Sequence, residues 1–255
     1  MRNPLEMGRS VLAFGVAAGL SMAAGAADEP ARSVFIRAGV HEVAQGDEKT
    51  LRTKANDAYN TRKNAEKKIK DQFGKKRESW PPEKEEELYA LEEAEAMAMA
   101  AWQYRKVDPK GVNDAVKDLN RAAEGKGLQA GKKNHIALAG SAEAADLVVE
   151  VLARRSESRG GAFTATDCWV LFSIGRGEKT EAARFAKIPA DYRVKTSFGL
   201  KAFKITGPSA DRPVFTFEGY NGGGSSFGCH GAAANAASSV VDKFIEDNAA
   251  HLGAK

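Results

Sequence analysis

Cysteine is nearly missing from this chain, two in 255 residues, and histidine is little commoner at four. None of them forms a CxxC or HxxxH pair, so the sequence offers no structural zinc site and no metal or other cofactor is expected. GxxxxGK[ST] and a strand-borne GxGxxG are absent as well, which removes the usual nucleotide-binding readings. An excess of one charge is also lacking: 38 Lys and Arg face 34 Asp and Glu, a formal +4. Without a concentrated basic face in that count, no nucleic-acid partner is expected. Beyond residue 26 no apolar run approaches the roughly 20 residues that a helical span requires, so no stable membrane span is expected after cleavage.

What is present begins with a leader. Arg2 and Arg9 form a positive region, Val11 to Ala24 is uncharged and apolar, and Ala24-Gly25-Ala26 supplies small residues for cleavage. Residues 1–26 therefore read as a signal peptide, with residues 27–255 as a single exported domain, periplasmic or extracellular. In that compartment Cys168 and Cys229 are expected to form a disulfide.

Residues 48–106 carry two helical stripes. Leu51, Ala55, Ala58, Ala65, Ile69 and Phe73 recur at three- and four-residue steps on a lysine-rich background, up to the stop at Trp80-Pro81-Pro82. A second stripe, Leu88, Leu91, Ala94, Ala98, Ala101 and Trp102, follows an acidic start at Glu83, Glu85, Glu86 and Glu87, where the helix dipole favours acids. A basic helix turned onto an acidic one reads as an antiparallel hairpin with a coiled-coil-like seam, inserted in the domain. Alanine-rich stripes seldom stand alone in water, which favours a helical layer against the chain's own sheet over a free arm.

The rest is a series of short β-type runs, of which 202–206 and 214–218 alternate at period two. Ser33 to Arg37, the run 135–139, Asp146 to Arg155, Thr166 to Ile174, Ala202 to Thr206 and Val214 to Glu218 read as strands. Valine decides for strand at 146–155, because β-branched side chains suit a pleated surface. Further helices are expected near 113–124 and over the last segment, through Ala233, Ala237, Val240, Val241, Phe244 and Ile245. The fold class expected is α+β: a two-layer sandwich, its mixed sheet mostly antiparallel, with helices on one face and a long α-helical hairpin insertion.

The opening VFI strand, the IALAG run, ADLVVEV and CWVLFSI together resemble bacterial envelope α/β modules. The N-terminal domain of the Tol translocation protein TolB and the curli secretion lipoprotein share that layout. The resemblance implies envelope assembly through a protein partner and carries over no functional residue.

One stretch invites chemistry. Gly222, Gly223, Gly224, Ser225, Ser226, Cys229 and His230 lie in a glycine-rich loop, 221–231, before the last helix, where free amides and the dipole favour an anion or a thiolate. A thiol-dependent enzyme would take its base from His41, His135, His230 or His251. A small-anion binder would use the loop without chemistry. The plainer alternative is a flexible linker ending in a disulfide cysteine. The sequence favours an exported non-catalytic protein that works through protein–protein contacts.

Overall fold

The computed structural model describes residues 31–40, 46–106, 108–127, 135–159, 165–190, 192–194, 201–205, 214–221 and 231–252. Residues 1–30 and loop residues 222–230, Cys229 and His230 among them, lie outside the described residues. In chain order the elements are β1 (Arg32–Ala38), α1 (Glu48–Phe73), α2 (Pro82–Gln103), α3 (Pro109–Gly127), β2 (Ile136–Leu138), β3 (Leu147–Arg159), β4 (Ala165–Arg176), α4 (Ala182–Phe185), β5 (Lys201–Ile205), β6 (Val214–Asn221) and α5 (Ala232–Leu252). The class is α+β, built on one mixed sheet ordered β2-β1-β3-β4-β6-β5. β1 pairs in parallel with β2 and β3, and the other pairs are antiparallel.

Asp146 locks the start of β3 to β1. Its carboxylate accepts from the Ser33 amide at 2.8 Å and from Ser33 Oγ at 2.6 Å. Gly177, after β4, crosses so close behind that a Cβ there would stand 2.2 Å from the Ala145 carbonyl oxygen, and only glycine fits.

The main core lies on one face of the sheet. Val34, Val149, Val151, Val170, Phe172, Ile174, Phe215 and Phe217 meet Val112, Ala115 and Leu119 of α3 and Ala237, Val240, Val241 and Phe244 of α5. Burying side chains of this size contributes roughly 1.5–3 kcal/mol each before entropy is counted.

The expected helices on one face need correction. α3 and α5 share a face, but Ala96, Ala100 and Tyr104 at the end of α2 pack on Ala153, Leu171 and Trp169 on the other. The reason lies in β4, which is apolar on both faces, as strands covered on both sides are. A bulge helps on β3: Val151 pairs with Phe172 and Ala153 with Leu171, leaving Leu152 between them. The central strands are thus covered on two sides, and a two-layer description fails there.

α1 starts on Asp47, whose carboxylate caps the Thr50 amide at 2.9 Å. α2 starts with Pro82 in its first turn, where a missing amide costs nothing. Ion pairs set the two against each other in opposite directions: Glu48 with Arg105, Arg62 with Glu95, and Arg77 with Glu85 and Glu92.

Candidate functional site

The glycine-rich loop leaves the sheet beside Cys168. Asn221, the last residue of β6, pairs with Cys168 on β4. Cys168 is buried among the residues that meet α3 and α5. Two residues back, Gly219 pairs with Val170 and lies under the start of α5; a Cβ there would come within 3.0 Å of the Ala237 amide. α5 opens on Gly231 (φ +87°), whose carbonyl accepts from the Asn235 amide at 2.8 Å. Both ends of the loop therefore sit at the Cys168 end of β4.

Two of the histidines considered as bases stand elsewhere. His135 precedes β2, at the sheet edge four strands from β6, or about 19 Å across the sheet. His251 lies one residue from the far end of the 21-residue α5, about 29 Å from its start. Neither is brought to the loop's helix end. His41 and His230 lie outside the described residues. Among the described residues no group of three His, Cys, Asp or Glu side chains can hold a metal ion.

On the opposite face a polar–aromatic cluster joins α2 to the sheet. Tyr104 Oη donates to Glu218 Oε1 at 2.5 Å. Burial pushes the Tyr104 phenol well above its ordinary value near 10, and the Glu218 charge adds to this while Arg155 opposes it. Arg155 lies flat on Trp169, 3.4 Å from the ring centre, and Trp169 stacks on Tyr220 with centroids 5.1 Å apart. A phenol held protonated against a carboxylate is a fixed donor, not a base at neutral pH. The cluster clamps the end of α2 to the sheet. Its residues come from β3, β4, β6 and α2, so no local sequence pattern announces it. Its one trace in the sequence is the aromatic run Trp102-Gln103-Tyr104 that closes the second helical stripe.

No known family, curated protein or solved structure matches this chain.

The remaining feature is the helix pair itself. α1 packs along α2 and has no other substantial neighbour among the described elements. Its far end closes over a small core of Ile69, Phe73, Trp80 and Leu88. Trp80 Nε1 donates to the Gly74 carbonyl at 2.8 Å, and Ser79 Oγ donates to the Lys76 carbonyl at 2.7 Å. Arg77 lies over the Tyr89 ring, 4.2 Å from its centre, and Arg193 lies over the same ring at 4.2 Å.

Proposed function

We propose that this chain is an exported, non-catalytic protein of the cell envelope or medium that acts through protein–protein contacts, with α1 and α2 as its contact-making hairpin. The leader is removed after Ala26, Cys168 bonds to Cys229, and residues 48–106 are an insertion in a single domain spanning 27–255. The observation that carries the reading is that α1, a 26-residue helix, has α2 as its one substantial neighbour. A helix that long with no part in the main core serves the surface rather than the fold. The pattern shared with the TolB N-terminal domain and the curli secretion lipoprotein points to the same envelope role.

Met97, 46% exposed on α2, is the place to look for the partner. A photo-crosslinking residue substituted there in cells is expected to give a discrete adduct with another protein. Processed protein from the envelope or medium is expected to begin at Ala27, whereas an intact Met1 on cytoplasmic protein would refute export. No adduct at Met97, together with a Cys229 that alkylates in the unreduced protein at neutral pH, would replace this reading with the thiol enzyme.

A further inference from the structure

The balanced charge of the whole chain hides a strong local imbalance. Between residues 67 and 78, at the end of the α1–α2 pair, Lys67, Lys68, Lys70, Lys75, Lys76 and Arg77 face only two carboxylates, Asp71 and Glu78. Two of these cations are engaged: Lys70 pairs with Glu66 at 2.6 Å, and Arg77 with Glu92 at 3.2 Å. Lys67, Lys68, Lys75 and Lys76 are exposed and have no carboxylate partner among the described residues. Four free ammonium groups within ten residues repel one another, and the fold does nothing to neutralise them.

The scaffold beneath them is well built. Ile69 and Phe73 turn inward onto Trp80 and Leu88, which leaves Lys67 and Lys68 on the outer side of α1. Gly74, at φ +89°, breaks the helix so that Lys75 and Lys76 leave on a short turn, which Trp80 and Ser79 hold by hydrogen bonds. At 1.5 Å per residue α1 runs about 39 Å, so these lysines stand far from the Glu48–Arg105 end of the pair.

We infer that this lysine-bearing tip docks on an anionic phospholipid surface. Its chemistry favours that occupant. No large apolar side chain is exposed within the tip, so it rests on headgroups rather than inserting. It also exposes none of the aromatic rings on which the bases of single-stranded nucleic acid stack. Lysines, compact and strongly hydrated point charges, suit a diffuse anionic plane better than a single bidentate partner. The inference does not depend on the protein-contact reading, which is tested at Met97 on α2.

The test is co-sedimentation of the mature chain with phosphatidylcholine vesicles, made with and without phosphatidylglycerol. Binding is expected only with the anionic lipid, and it should weaken as salt rises. Near such a surface each lysine is worth roughly fivefold in affinity. Replacing Lys67, Lys68, Lys75 and Lys76 together by Gln is therefore expected to lower binding by several hundredfold, with the circular dichroism spectrum unchanged. The pair Lys49→Gln and Lys54→Gln, at the other end of α1, is expected to leave binding within a fewfold. Equal losses from the two sets per charge removed would mean that net charge, not the tip, does the binding, and would overturn the proposal. So would tighter binding to duplex DNA or polyglutamate than to the vesicles at equal salt.

Discussion

Asp146 accepts two hydrogen bonds from one residue 113 positions earlier, the amide and the hydroxyl of Ser33. Replacement by Ala leaves both donors to find water at the joint of two central strands. Hydrogen bonds to charged groups are worth about 1.5–3 kcal/mol each, so a loss near 3 kcal/mol is expected in urea denaturation. Ser33→Ala is expected to cost less, because it spares the amide. The Ala-Asp-apolar motif was legible in the sequence, but Ser33 as its partner was not, since parallel pairing joins residues far apart in the chain. Tyr104 supports a second expectation. Its phenol is held well above its unfolded value near 10, first by burial and then by Glu218. The folded state keeps this proton while the unfolded chain releases it, so the stabilisation is whole below pH 10 and declines as pH rises past it. Denaturation midpoints followed from pH 8 to 11 are expected to fall at the alkaline end, and to fall less in Tyr104→Phe.

Among the elements, the strands were the most legible and the placement of α2 the least. Apolar β-type runs, period-two alternation at 202–206 and 214–218, and valine content at 146–155 located the six strands of the described residues. The cover on the second face was harder to foresee: Trp169 and Leu171 look like ordinary members of an apolar run, and their contact with Ala96, Ala100 and Tyr104 is non-local. The helix pair has its own internal lock. Glu95 is nearly buried, its side chain 6% exposed, and meets Arg62 at 2.7 Å. Removing Glu95 leaves Arg62 its second partner, Glu66 at 2.6 Å, so the cost is expected to stay below the roughly 3–5 kcal/mol of a fully stranded buried charge. Because α1 touches little else, Glu95→Ala is expected to speed amide exchange within α1 and α2 and leave β3 and β4 protected. A shortened chain tests the same independence. Deleting residues 62–95 and joining Thr61 to Ala96 by a short glycine turn keeps the turns of α2 that sit on the sheet. Its thermal midpoint is expected to stay within a few degrees of the full chain. Loss of cooperative unfolding would mean that the distal helices belong to the core.

For the whole molecule, the bond proposed between Cys168 and Cys229 decides whether the glycine-rich loop is structure or chemistry. Spacing in the sequence could not show that the two approach each other, because their separation depends on where α5 lands. The fold narrows the question. Cys168 sits on the buried face beneath α5, opposite Asn221, and α5 begins three residues after Cys229, its first turns lying over Gly219. Strand end and helix start are thus brought together, with Cys229 between them in the chain. Closing a loop of about 60 residues removes unfolded-state entropy worth roughly 4 kcal/mol in the chain-entropy model. For a domain of this size, that corresponds to a fall of about 10 °C in thermal midpoint when the bond is lost. Cys168→Ser, Cys229→Ser and the double variant are all expected to show that fall to the same extent, because each removes one shared bond. Reducing agent should lower the midpoint of the native chain and leave the variants unmoved. If instead Cys168→Ser alone destabilises, the effect comes from placing a hydroxyl in the core. Cys229 then stands free at the loop's helix end, where a thiolate is favoured, and the loop becomes a site for chemistry rather than a tether.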